Sequence, residues 1–204
     1  MLQHEKRRCL AAFGILGAGL LLLLLLNLRI GSVRVPMDQL WEILRGENRD
    51  STAGQIIWTI RMPRLIAAAV LGGALAVAGF LLQTFFSNPI AGPFVLGISS
   101  GASAGAALAL LTPISFLAGQ RQTTAFAFLG ALLSAFTVYY LAKKAGGGKL
   151  QPVTLLLSGT AVNAVMSAVT SYLIFRAKSP ESIAAVYSWQ MGSISAAQWK
   201  TLAT

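Results

Sequence analysis

Residues 61–105 read RMPRLIAAAVLGGALAVAGFLLQTFFSNPIAGPFVLGISSGASAG, and this stretch decides the fold. It opens with two arginines and then runs without a charge through two apolar segments, residues 65–86 and 94–111. An apolar helix needs about 20 residues to cross the hydrocarbon core of a bilayer. Because an Asn-Pro turn of about seven residues joins the two segments, the stretch predicts a helical hairpin buried among other helices. Such a hairpin is typical of transporters rather than of enzymes.

The composition of the whole chain indicates a membrane protein. Of its 204 residues 55% are hydrophobic and 11% are charged, and the mean hydropathy is +0.69. Soluble domains carry about 25% charged residues. The net charge of +10 comes from lysines and arginines scattered between apolar runs, a pattern of membrane topology rather than of nucleic-acid binding. The single cysteine, Cys9, excludes an intrachain disulfide.

Further apolar runs predict an all-α, polytopic protein with about five complete spans and the start of a sixth. The predicted spans are residues 10–28, 65–86, 94–111, 124–142 and 153–175, with the sixth starting near 187–204. We interpret the first run as a retained span rather than a cleaved signal peptide, since it is too long and no small-x-small site follows it. Between spans 1 and 2 lies a polar segment of mixed charge, in which 37–44 is predicted as a short surface helix and 48–54 as a loop.

The positive-inside rule favours a cytoplasmic N-terminus. That orientation places Lys6, Arg7, Arg8, Lys143, Lys144 and Lys149 in the cytoplasm. It leaves Arg121, Arg176 and Lys178 outside, together with the basic residues of segment 29–64, which four acidic residues offset. The expected location is therefore the cytoplasmic (inner) membrane, with several passes.

No enzyme motif is present. The sequence lacks HExxH, GxSxG and CxxC, and the Gly146–Lys149 run fails the phosphate-loop pattern because Lys143 and Leu150 occupy required positions. We therefore expect no catalytic residue, no metal and no cofactor bound by this chain, and any ATP must be used by a partner. No acidic residue lies inside a span, which argues against a carrier coupled to protons or sodium.

Small residues in the hairpin predict close helix packing. Gly97, Gly101 and Gly105 follow one another at four-residue spacing, and Gly72, Gly73 and Gly79 lie in the preceding span. Such spacing lets another backbone approach closely. These glycines serve packing alone, or they also line a path along which helices slide.

The connector holds Gln83, Asn88, Pro89 and Pro93. It is either a plain tight turn or a rigid docking point at the cytoplasmic side.

Polar residues in the fifth span give two alternatives. Ser158, Thr160 and Asn163 lie within two turns of each other, and buried polar groups in lipid need partners or a wet cavity. They either line a translocation path or bond neighbouring helices.

Arg61 and Arg64 lie at the outer end of span 2, three residues apart and so on one face if the turn is helical. They either reach toward the headgroups, beside the interfacial Trp58, or dock acidic residues of an external partner.

The order of these motifs resembles the signature of the FecCD-type permeases, the membrane subunits of ABC importers for iron-siderophores, haem and cobalamin. The matching residues are Arg61-Met62-Pro63-Arg64, Gly73-Ala74-Leu75-Ala76 with Gly79, Gln83 with Asn88-Pro89-Ile90-Ala91 and Pro93, and Leu96-Gly97 with Gly101-Ala102. Later stretches match too: Leu156-Leu157-Ser158-Gly159 and Trp189-Gln190-Met191-Gly192-Ser193. Ile90 in place of leucine is the visible variation.

The resemblance implies a type II importer fold with ten spans per subunit and a second permease subunit. It also implies two cytoplasmic ATPases and an extracytoplasmic substrate-binding protein. By this likeness Arg61 and Arg64 contact acidic residues of the binding protein, while Ser158, Thr160 and Asn163 line the central path. Which chelate is carried, and whether the permease pair is a homodimer or a heterodimer, stay open.

Family members are considerably longer than this chain, which lacks the equivalents of spans 7 to 10 and the segment that couples to the ATPase. We therefore expect a fragment or an unfinished reading frame that does not transport by itself. The rival functions are an ion-coupled secondary carrier and a membrane scaffold subunit without a transport path.

Overall fold

The computed structural model describes residues 2–89, 92–112 and 120–202, with side chains for all of these except residues 2–5, 93 and 95. Every regular element in those ranges is helical, so the all-α prediction is confirmed. Contacts divide the chain into two compact units. The first unit comprises Met1–Gly72 with Ile194–Thr204, and the second comprises Gly73–Ser193.

The first unit contains the N-terminal helices and a short C-terminal one. Its elements are α1 (Leu2–Arg29), α2 (Met37–Arg45), α3 (Thr52–Gln55), a π-helical segment (Ile56–Arg61), the start of α4 (Met62–Phe86), and α9 (Trp199–Leu202). The π-helical segment joins α3 to α4 without a break, so residues 52–86 are continuously helical.

The second unit is built around α5. Its elements are the rest of α4, a 3₁₀ turn (Pro93–Leu96), α5 (Ile98–Leu111), α6 (Gln120–Ala145), α7 (Pro152–Phe175) and α8 (Pro180–Met191). The α5 helix packs on α6, α7 and α8, and the 3₁₀ turn packs on α7.

Four helices among the described residues are long and apolar enough to cross a membrane: Lys6–Arg29, Thr52–Phe86, Gln120–Ala145 and Pro152–Phe175. They cover the predicted first, second, fourth and fifth spans.

The predicted third span, residues 94–111, is not one helix. Gly97 has φ 66°, a left-handed conformation that separates the 3₁₀ turn from α5. The 14 residues of α5 rise only about 21 Å at 1.5 Å per residue, which is less than the roughly 30 Å hydrocarbon thickness.

The predicted start of a sixth span near 187–204 is likewise interrupted. The α8 helix ends at Met191, Gly192 has φ 72°, and helix resumes only at Trp199. The count of five spans and the start of a sixth stays a prediction.

The polar segment before span 2 folds around its own hydrophobic core. Leu28, Val35, Leu40, Ile43 and Ile57 are buried together there. The loop predicted for 48–54 ends early, because the Ser51 hydroxyl accepts the amide of Gly54 at 3.1 Å and caps a helix that begins at Thr52. The segment therefore forms a packed cap on the ends of α1 and α4. The surface helix predicted for 37–44 forms as α2, but its Leu40 and Ile43 are buried in this cap.

Candidate functional site

Arg61 is buried, with 8% of its surface exposed, at the end of the π-helical segment. Its guanidinium donates to the backbone carbonyls of Leu28 and Val33. The last carbonyls of a helix have no donor within the helix, and Arg61 supplies a donor to one of them, that of Leu28 in α1. A Cβ at Gly31 would lie 2.6 Å from Nη2 of Arg61, and glycine there makes room for the guanidinium.

Arg64 has a different environment. It is half-buried, and its Nε and Nη2 both donate to the carbonyl of Ser195, at 3.1 and 2.7 Å. The two arginines predicted as a pair thus bond different carbonyls, and among the described residues neither meets a carboxylate.

Pro63, between the two arginines, helps to leave the backbone carbonyl of Trp58 without a donor from its own helix. The amide of Met62 bonds the carbonyl of Ile57 rather than that of Trp58, and the next residue, Pro63, has no N–H to offer. The Trp58 carbonyl instead accepts the indole N–H of Trp199 at 2.7 Å. The indole of Trp58 itself is half-buried and donates to the carbonyl of Ile43 at 3.3 Å.

The glycines of α5 lie directly against α6. A Cβ at Gly101 would overlap the Ser134 hydroxyl and the Gly130 carbonyl oxygen, and a Cβ at Gly105 would overlap the Phe126 carbonyl oxygen. These two helices approach backbone to backbone, as small residues four apart permit. Sequence reasoning did not single out Gly130 and Ser134, although their own four-residue spacing in α6 was the available signal. The Ser134 hydroxyl is buried and has no hydrogen-bond partner among the described residues.

Gly97 does not share the α5 stripe, because it lies outside the helix. Its left-handed backbone approaches α7, where a Cβ would lie 3.1 Å from the Gly159 carbonyl oxygen and 3.2 Å from the Asn163 amide nitrogen. Two motif glycines that are far apart in the sequence, Gly97 and Gly159, therefore meet at this point.

The glycines of α4 face open space. A Cβ at Gly72, Gly73 or Gly79 would meet no atom within 4 Å among the described residues. The close packing predicted between spans 2 and 3 is therefore not formed at these glycines in the described part of the chain.

The turn after α4 is closed by backbone bonds. The amide of Asn88 donates to the Gln83 carbonyl at 3.1 Å, and that of Ser87, at φ 49°, donates to the Thr84 carbonyl at 3.2 Å. This is the Schellman pattern that ends a helix. Gln83 thus acts through its carbonyl, and its side chain is exposed.

The two prolines of the connector lie on either side of residues 90–92. Pro89 lies just beyond the helix end, and Pro93 begins the 3₁₀ turn. Residues 90 and 91 lie outside the described residues.

The polar residues of α7 separate into two environments. Ser158 is buried, whereas Thr160 and Asn163 are exposed in this chain. The Thr160 hydroxyl donates to the carbonyl of Leu157 at 2.9 Å, within its own helix. The predicted lining residues therefore do not share one exposed face.

Among the described residues no cluster of three His, Cys, Asp or Glu side chains is placed to hold a metal ion. What the described residues do form is a capped helix end around Arg61, a set of close helix contacts around α5, and exposed polar groups on α7.

Comparisons with known proteins place these features in context. A model described as the FecCD transport family matches residues 19–204. The chain is 43% identical over 148 residues to the cobalamin import system permease protein BtuC of Halobacterium salinarum, covering 72% of this chain and 38% of that protein. It is 38% identical over 188 residues to the achromobactin transport system permease protein CbrC of Dickeya dadantii, covering 89% and 52%.

A solved structure gives the same result for the fold. It is described as an inward-facing conformation of a metal-chelate type ABC transporter, and it superposes with a TM-score of 0.72 at 26% sequence identity. The match covers 91% of this chain and 55% of that one. The predicted permease-like fold is therefore confirmed, and the chain spans about half the length of the curated relatives it matches.

Proposed function

Because this chain belongs to the FecCD transport family, we propose that it forms the N-terminal part of a permease subunit of an ATP-driven importer. The importer carries an iron chelate (a siderophore or haem) or cobalamin across the cytoplasmic membrane. The observation that supports this most strongly is the family match over residues 19–204, which includes all of the helices from α2 onward. Relatives named for cobalamin and achromobactin transport support this range of cargo.

The proposed partners follow from the same family. They are a second permease subunit, a pair of cytoplasmic ATPases that hydrolyse ATP, and an extracytoplasmic binding protein that delivers the cargo. The chain itself binds no cofactor in this proposal. The N-terminus lies in the cytoplasm, on the same side as Lys143 and Lys144, where positive charges are favoured.

The glycines of α4 are proposed to pack on helices outside these 204 residues. Gly72, Gly73 and Gly79 face open space here, and small residues in membrane helices are enriched where another helix approaches. The turn that contains Gln83, Asn88, Pro89 and Pro93 is proposed to be a rigid cytoplasmic end of this helix.

Thr160 and Asn163 are proposed to line the translocation path, because both are exposed on α7. Ser158 would join them only after a helix movement, since it is buried now.

Arg64 is the better supported of the two docking arginines. It is half-exposed and its guanidinium is held by a neutral carbonyl, so a carboxylate of the binding protein can compete for it. Arg61 contributes to docking by fixing the packed cap from which Arg64 projects, since its own guanidinium is buried on two carbonyls.

The test is ATP-dependent uptake into proteoliposomes that contain the complete permease with its ATPase and binding protein. Ferric siderophores, haem and cobalamin are offered in turn, and liposomes without ATP are the control. Accumulation that requires both ATP and the binding protein is the expected result. Uptake driven by an ion gradient without ATP would replace the proposal with a secondary carrier, and an intact complex without any uptake would replace it with a scaffold.

A further inference from the structure

The segment after α8 is fastened to the continuous helix of residues 52–86 by hydrogen bonds at Ser195 and at Trp199. The carbonyl of Ser195 receives both donors of Arg64, and the indole of Trp199 reaches the carbonyl of Trp58. All four residues belong to the same compact unit. Two internal bonds shape the segment between these points: the Ala197 amide donates to the Ile194 carbonyl at 3.0 Å, and the Gln198 amide donates to the Thr201 hydroxyl at 2.9 Å.

The two fastenings, Arg64–Ser195 and Trp58–Trp199, differ in which other groups could replace a partner in the hydrogen bond. Trp199 bonds a carbonyl that the helix cannot use, because Met62 bonds elsewhere and Pro63 has no N–H. Neither of these two residues therefore competes for the Trp58 carbonyl. Arg64 is a charged donor held by a neutral acceptor, and a carboxylate is a stronger, bidentate partner for a guanidinium. An acidic side chain arriving from outside would therefore displace the Ser195 carbonyl first.

Arg61 does not take part in such an exchange. It is buried and bonds two carbonyls, and Gly31 leaves just enough room for its guanidinium. Of the two arginines, only Arg64 is both accessible and held by a single replaceable acceptor.

We propose that Arg64 is an exchange point that couples partner docking to segment 194–202. When a carboxylate of an external acidic partner binds the Arg64 guanidinium, the Ser195 carbonyl loses its bonds to Arg64, while the Trp58–Trp199 bond still holds the segment. The inference rests on the proposed function, since the partner is the importer's binding protein. It adds that docking changes the backbone that follows α8, rather than merely seating the partner.

The test is hydrogen–deuterium exchange, read by mass spectrometry on the complete permease–ATPase complex in nanodiscs, with and without saturating binding protein. The reporters are the Ala197 and Gln198 amides, which are hydrogen-bonded in the fastened segment. We expect the partner to accelerate their exchange about tenfold, the change that follows the loss of one hydrogen bond from a charged donor.

Three variants separate the two fastenings. Arg64→Gln should exchange fast without the partner and show no further change when the partner is added. Trp199→Phe keeps an aromatic ring but loses the N–H donor, so it should exchange faster at rest and still respond to the partner. Trp41→Phe, at an exposed tryptophan of α2, is the matched control and should behave as the wild type does.

The outcomes distinguish this inference from the proposed function. If the partner binds and uptake is intact but the reporter amides do not change, the exchange mechanism is wrong and the importer stands. Slow exchange at rest in Arg64→Gln would also overturn the mechanism. If no binding protein associates and no uptake occurs, both proposals fall together.

Discussion

The contact between α5 and α6 makes a quantitative prediction for Gly101→Ala. The new Cβ would overlap the Ser134 hydroxyl and the Gly130 carbonyl oxygen. One of these obstacles is backbone, which cannot rotate away. The helices must therefore separate slightly, and the atom pairs along their shared face lose part of their attraction.

The size of the effect follows from two opposing terms. Alanine gains about 1 kcal/mol over glycine from helix propensity. If about 40 atom pairs, each worth about 0.15 kcal/mol, lose roughly two-fifths of their attraction when the gap opens by less than 1 Å, the loss is about 2.4 kcal/mol. The net change is a destabilisation of about 1.5 kcal/mol, within the range of about 1–3 kcal/mol known for overpacked cores.

The measurement is the free energy of unfolding in mixed micelles, followed by tryptophan fluorescence during titration with SDS. Gly17→Ala is the matched control, because a Cβ at Gly17 in α1 meets no atom within 4 Å among the described residues. That variant should be unchanged or up to about 1 kcal/mol more stable. A Gly101→Ala protein as stable as the wild type, beside an unaffected control, would show that the two backbones are not in contact.

Three other substitutions probe the turn, the cap and the docking end. Gly97→Ala and Gly147→Ala both force alanine into a left-handed backbone, at φ 66° and φ 65°, but only at Gly97 would the Cβ also crowd α7. Gly97→Ala should therefore lower the free energy of unfolding by more than the roughly 1–2 kcal/mol that both variants share. Equal free energies of unfolding for the two variants would contradict the contact with α7. Arg61→Lys keeps the charge but cannot span two carbonyls, so thermal unfolding of the complete permease should show a loss of about 1.5–3 kcal/mol, whereas Arg45→Lys on the exposed end of α2 should show none. Arg64→Glu should weaken binding-protein affinity more at low salt than at high salt, with Arg45→Glu as the control; unchanged affinity at low salt would remove Arg64 from docking.

The helix contacts that sequence spacing predicted best are those that depend on local periodicity. Gly101 and Gly105 were expected to admit another backbone, and each lies against one of α6. The family was also recognisable from sequence, because its motifs lie in order along the chain and residues 19–204 match its model. Periodicity could not name the partner helix, since that depends on contacts between elements distant in sequence.

The expectations for Gly97 and Arg61 that differ from the structure also have physical reasons. Gly97 continued the spacing of Gly101 and Gly105, but spacing does not reveal a positive φ, and the helix begins after it. Arg61 was expected either to reach toward the headgroups or to dock acidic residues of an external partner. Its burial depends on carbonyls near residue 30 that only the folded cap brings within reach. The same cap hides Leu40 and Ile43 within a segment whose composition is polar.

The Arg61 bond to Leu28 has a consequence for how the protein is made. The donor and the acceptor are 33 positions apart, so the end of the first helix lacks its donor until the second long helix has begun to emerge from the ribosome. At about 5–20 residues per second this delay is roughly 2–7 s. Until Arg61 has been translated, the Leu28 carbonyl at the end of the first helix therefore has no guanidinium to bond.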